Sequence, residues 1–253
     1  MSRAFKQRLL QGQALHGLFC CSYSVQVVEA LSGSGLDFLL FDLEHTPNAL
    51  PPLHAQLCAL AASDTAAIVR VPQTELAGFK LLLDLGVAGL MVPNVHSAEQ
   101  AAEAVSFTRY PPHGVRGIAG SVRAAGYGRD GSYLQTAGER TSLIVQVEST
   151  RAVADLERIA AVDGVDAVFV GPNDLAADMG LLGQPGHPEV VQVVEQCLRR
   201  IRQAGKPAGV LCAEADRPRY QAVGASLFAL GSDLGLLVKT ADALAQRQRA
   251  NPA

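Results

Sequence analysis

The chain has 253 residues, 49% of them hydrophobic and 18% charged, with a formal net charge of −3; that suits one globular domain with a sizeable core and argues against disorder. Interspersed acids and bases lack the basic footprint of a nucleic-acid binder. No run reaches the ~20 uncharged apolar residues of a membrane span, and MSRAFKQRLLQGQ at the start lacks the apolar core and cleavage site of a signal peptide.

Along the chain, short apolar runs alternate with helical patterns. The first four runs are 16–22, 37–43, 66–71 and 88–93; the second four are 142–147, 166–171, 207–212 and 226–231. Near-continuous apolar character predicts strands buried on both faces, as in an all-parallel sheet under helices. Eight such units predict a single (β/α)8 barrel domain over 1–253. A doubly wound sheet is the runner-up, but its phosphate fingerprint is missing: GSG at 33–35 lacks the third glycine and precedes a strand, so it reads as a helix stop. The Gly-, Pro- and Arg-rich stretch 108–133 reads as a long βα loop after the fourth strand's helix, a length that usually serves a site. Five cysteines (Cys20, Cys21, Cys58, Cys197, Cys212) show neither CxxC spacing nor a zinc-partner pattern, which fits a reduced, cytoplasmic setting.

Barrel enzymes carry their chemistry at the C-terminal ends of the strands, and polar residues end several runs here. The second ends in Asp42, Glu44 and His45, the third in Arg70, the fifth in Gln146 and Glu148, and the sixth in Gly171, Pro172, Asn173 and Asp174. Glu148 and Asp174 leave neighbouring strands and could share a hard divalent cation, or each could simply cap the helix that follows. Arg70, between two valines, is either an oxyanion clamp or half of a structural ion pair. His45 is either a base or a loop histidine. Asp84, near the end of a helix where negative charge is unfavourable, requires a partner, a histidine being one candidate. His16, His54, His96, His113 and His187 share no spacing and read as surface or structural. The cysteines have no adjacent base, which disfavours a thiol nucleophile.

Seven ordered segments carry a resemblance: 35–48 (GLDFLLFDLEHTPN), 66–72 (AAIVRVP), 81–95 (LLLDLGVAGLMVPNV), 109–117 (RYPPHGVRG), 123–128 (RAAGYG), 146–149 (QVES) and 168–180 (VFVGPNDLAADMG). On these the chain resembles the HpcH/HpaI family of class II pyruvate aldolases from about residue 4 to residue 248. The resemblance implies that Glu148 and Asp174 ligate Mg2+, Mn2+ or Co2+, and that Arg70 faces the donor's keto oxygen. It further implies that His45 and Asp84 form a dyad, that Gln146, Gly171, Pro172, Asn173 and Leu211 line the donor pocket, and that RAAGYG belongs to a loop reaching the site. The expected reaction is reversible cleavage of 4-hydroxy-2-oxo acids to pyruvate, or a close 2-oxo acid such as hydroxypyruvate, and an aldehyde. The alternatives are a CoA-thioester lyase of the malyl or citramalyl type, disfavoured by the lack of a basic cluster, and a silent keto-acid-binding barrel.

Two positions depart from the family pattern: Phe19 stands where many members have tryptophan, and Asn173 replaces a small residue. The stretch 234–248 is apolar along one face and must pack on something. The resemblance implies a C-terminal helix exchanged between subunits of a homo-oligomer, a hexamer built as a trimer of dimers.

Overall fold

Eight parallel strands pair in chain order: β1 (Leu15–Cys20), β2 (Phe38–Asp42), β3 (Ala66–Arg70), β4 (Gly89–Val92), β5 (Ser142–Val147), β6 (Ala167–Val170), β7 (Ala208–Leu211) and β8 (Ala225–Ser232). β8 returns to pair with β1, so the sheet is a closed barrel. Each strand falls on one of the eight apolar runs, and helices fill the intervals, giving the (β/α)8 architecture. The computed structural model describes residues 2–250; residues 1 and 251–253 of the expected domain lie outside the described residues.

The apolar core has two layers. Leu39, Phe41, Val69, Leu90, Val145 and Val168 point outward and pack under the helices. Phe38, Leu40, Ile68, Met91, Ile144, Phe169 and Leu227 fill the barrel interior, which Phe5 and Leu9 of the first helix close at one end. Both layers follow from the two-residue period of a strand. The same period decides which polar groups face inward at the other end. Phe38 and Leu40 lead to Asp42, Ala66 and Ile68 lead to Arg70, and Ile144 leads to Gln146.

The stretch 108–133 departs from its expected place. The helix Ala98–Thr108 carries the chain back from the C-terminal end of β4, so 109–132 crosses the N-terminal face of the barrel, opposite the strand ends, to the helix Tyr133–Arg140 that precedes β5. It connects two helices, and tertiary contacts hold it there. Arg123 donates to the carbonyls of Leu85 and Leu57 at 2.7 and 3.2 Å. Arg116 is 2% exposed, pairs with Asp84 at 2.7 Å, bonds the Tyr133 hydroxyl at 3.0 Å and lies 4.6 Å from the Tyr110 ring centroid. A guanidinium so buried is stable only with such partners.

The last helix, Asp233–Ala250, starts where β8 ends. Asp233 is buried and accepts from the backbone N–H groups of Cys21 (2.8 Å) and Ser22 (3.1 Å), tying the helix start to the end of β1. Beyond it Leu234, Leu236, Leu237, Val238 and Leu244 are all exposed, so its own barrel leaves the apolar face of this helix uncovered. Among the described residues, no helix is long and apolar enough to cross a membrane. All five cysteines are free.

Candidate active site

The C-terminal mouth of the barrel opens into a cavity of about 400 Å³ lined by Phe19, Cys21, Asp42, His45, Arg70, Gln146, Phe169, Gly171, Asn173, Asp174, Leu211, Gly231 and Ser232. The strand residues on that wall are the inward-facing positions at the strand ends, so period and closure together make the site.

Asp42 and Arg70 are direct register partners on β2 and β3. The Asp42 carboxylate accepts from Arg70 Nε at 2.9 Å and from Nη2 at 2.7 Å. Burial works against the Asp42 charge, yet the bond and charge of Arg70, with the N–H groups of Glu44 and His45, outweigh it and hold the carboxyl below its ordinary range. Arg70 Nη1 stands 3.1 Å from Glu44 Oε2, a close ionic approach without hydrogen-bond alignment. The guanidinium also lies 4.9 Å from the Phe19 ring centroid. The ion pair and the clamp are therefore compatible: Asp42 takes one edge of the guanidinium while the group still lines the cavity. From sequence Asp42 is only a strand-end acid with no role; its register opposite Arg70 is what reveals one.

Glu148 is 3% exposed and lies just behind the cavity wall. Its Oε1 accepts from the Asn94 N–H at 2.8 Å, and its Oε2 accepts from the Gln146 amide. A Cβ at Gly171 would collide with Glu148 Oε2 and Gln146 Nε2, so only glycine leaves room for this carboxylate. Burial pushes the Glu148 carboxyl up to about 7, the Asn94 N–H works the other way, and the nearby charges of Asp174 and Glu44 add to the rise. Neither acid is a helix cap. Ser149 caps Thr150–Ala154 by accepting from Ala152 N–H, and Gly171 occupies the cap position of Pro172–Asp178, leaving Asp174 in its first turn.

His45 is at the rim, its side chain 63% exposed and its Nε2 3.5 Å from Glu44 Oε2. Asp84 is elsewhere. It sits near the end of the helix Leu76–Leu85, which runs back from the mouth, and its partner is Arg116 at the N-terminal face. Within one chain the structure does not bring Asp84 to His45, and it places RAAGYG (123–128) on that same far face. Gln146, Gly171, Asn173 and Leu211 do line the cavity, whereas Pro172 is buried behind it in the first helical turn. Cys21, missed by the sequence analysis, also lines it; burial, then the charges of Asp233 and Asp42, push its thiol up to about 11, so it stays protonated near neutrality.

Among the described residues no three histidine, cysteine or acid side chains cluster as a complete metal cage. What the site does offer is a buried carboxylate, a second carboxylate in its field, and a fixed guanidinium across the cavity. That arrangement suits a hard cation with open positions and an anionic oxygen between cation and arginine.

The chain is similar to known proteins along nearly its whole length. Residues 15–240 match the family model described as HpcH/HpaI aldolase/citrate lyase. The chain is 42% identical to a protein named pyruvate aldolase from Rhizobium etli, covering 96% of each chain. It is 43% identical to one named 4-hydroxy-2-oxo-heptane-1,7-dioate aldolase from Shigella sonnei, covering 98% of this chain and 95% of the other. Its structure superposes on that of an HpcH/HpaI aldolase/citrate lyase family protein from Burkholderia cenocepacia J2315 with a TM-score of 0.94 at 40% identity, covering 98% and 99% of the two chains.

Proposed function

This chain belongs to the HpcH/HpaI aldolase/citrate lyase family and is an aldolase of the pyruvate type, and from that premise we propose that Glu148 and Asp174 hold a divalent cation, Mg2+, Mn2+ or Co2+, at which 4-hydroxy-2-oxo acids are cleaved to pyruvate or a close analogue such as hydroxypyruvate and an aldehyde. The carrying observation is the buried Glu148 carboxylate, which among the described residues accepts from the Asn94 N–H and the Gln146 amide and which Gly171 leaves room for, beside a cavity that Arg70 also lines.

The residues fit such an ion. The donors are carboxylate oxygens, as hard cations prefer, and with two protein ligands the remaining positions fall to water and the oxygens of a 2-oxo acid. When bound, the cation supplies Lewis-acid polarisation of the donor's carboxylate and keto oxygens.

The chain's own groups do the rest. Arg70, locked by Asp42, faces the keto oxygen and stabilises negative charge there as the enolate develops, without reorganising at that moment. Gln146 orients Glu148, and Gly171, Asn173 and Leu211 bound the donor. His45, at the rim, takes the proton from the substrate's 4-hydroxyl in cleavage and returns it in synthesis.

Asp84 and the 123–128 segment are at the opposite face, so their roles require a second copy of the chain. That requirement and the uncovered face of the C-terminal helix support a homo-oligomer, a hexamer with that helix exchanged between subunits. Five free cysteines support a reducing, cytoplasmic setting. The direct test incubates the purified protein and Mn2+ with a panel of 4-hydroxy-2-oxo acids and follows pyruvate release. Release from at least one member is expected; none from any would overturn the reading.

A further inference from the structure

Asn94 follows β4 and touches no substrate in the mechanism above. It has a left-handed backbone, φ +57°. Only glycine, and to a lesser degree asparagine and aspartate, visits this region readily; a β-branched residue there is a severe outlier. The conformation has a consequence at the site. It turns the Asn94 N–H onto Glu148 Oε1 at 2.8 Å, while the side-chain Nδ2 donates to Glu44 Oε1 at 3.0 Å. The other Glu44 oxygen stands 3.1 Å from Arg70 Nη1. One residue thus touches the acid on the cation's side and the acid on the arginine's side, across chain separations of 54 and 50 residues.

We propose, resting on the metal site described above, that Asn94 is a positioning residue with two separable contacts. Its left-handed backbone aims Glu148 at the cation, and its amide tethers Glu44 beside Arg70. A partner that orients a ligating carboxylate acts on metal affinity directly, by about 10- to 100-fold when lost. The tether acts on the arginine side and leaves the ligand's own bond intact.

Three substitutions separate the contacts. Asn94→Gly keeps the left-handed backbone and its N–H but deletes the amide. Asn94→Ala and Asn94→Val oppose that backbone conformation with increasing severity. The measurement is the Mn2+ dissociation constant of the metal-stripped full chain, read from the free-Mn2+ paramagnetic resonance signal, with melting curves to confirm folding. Expected affinity follows the order wild type and Asn94→Gly, then Asn94→Ala, then Asn94→Val, with the last weakened about tenfold or more. Asn94→Gly, at saturating Mn2+, loses turnover several-fold despite unchanged affinity. Should Asn94→Val fail to fold, the Gly and Ala variants still give the order. Equal affinity in the Gly and Ala variants, or a loss in Asn94→Gly as large as in Asn94→Ala, overturns the backbone role; unchanged turnover in Asn94→Gly overturns the tether. A wild-type chain that binds no Mn2+ at all overturns the metal reading itself, and this inference with it.

Discussion

Arg70 is held by Asp42 through two parallel hydrogen bonds, at 2.9 and 2.7 Å, between residues that face each other in the register of adjacent strands. The fork geometry of a guanidinium makes this possible, and an ammonium cannot reproduce it. Arg70→Lys should therefore lower kcat for aldol cleavage by about 100-fold, the scale of a lost oxyanion donor, while the charge opposite Asp42 is kept and the melting temperature changes little. A kcat near wild type would return Arg70 to a purely structural role.

Glu148 supplies a pH signature. Its carboxyl lies at about 7 in the cation-free fold, raised first by burial. The native state therefore holds that proton across a range in which the unfolded chain has released it. More protons bound in the native state means stability falls as pH rises, from the ordinary glutamate range up to about 7. Melting curves of metal-stripped protein should show this downward slope, and Glu148→Gln should remove that part of it. Ligation needs the carboxylate, so Mn2+ affinity should rise through the same interval. A flat affinity profile would count against Glu148 as a ligand.

Removing the cation should abolish cleavage. Protein treated with a chelator and then gel-filtered is expected to release no pyruvate from a 4-hydroxy-2-oxo acid, and Mn2+, Co2+ or Mg2+ should restore the rate. Undiminished activity in protein shown by elemental analysis to be metal-free would sink the assignment of Glu148 and Asp174.

Gly171→Ala is the smallest change that fills the space beside Glu148. The added Cβ meets Glu148 Oε2 and Gln146 Nε2, so the carboxylate must turn away. Calorimetric titration should show Mn2+ affinity lowered about tenfold or more; an unaltered isotherm would mean the acid has another way to reach the ion.

Exposed Leu237 and Val238 on the C-terminal helix should be covered in a homo-oligomer. Light scattering is expected to show an assembly for the natural chain and a smaller species for the Leu237→Asp, Val238→Asp double variant. A natural chain that scatters as a monomer would refute both the oligomer and a shared role for Asp84.

Much of this was legible in the chain. The eight apolar runs located the eight strands, because a strand buried on both faces must be apolar along its length. The polar residues that end those runs, Asp42, Arg70 and Gln146 among them, are placed at one mouth by their strand-end position; which of them face inward follows from the two-residue period once the strand bounds are known. These are local properties, set by each segment's own backbone geometry, so they survive without knowledge of the partners.

Tertiary structure decided the rest. Asp42 and Arg70 are 28 residues apart, Asn94 and Glu148 54, and Asp84 and Arg116 32. Their meetings depend on register, on barrel closure and on which face a connection returns to. The stretch 108–133 has the composition of a site loop, yet it closes the N-terminal face because a helix runs between it and β4. Composition records that a segment is irregular; the direction of the preceding helix determines which end of the barrel it occupies, and so whether it can serve its own chain's site.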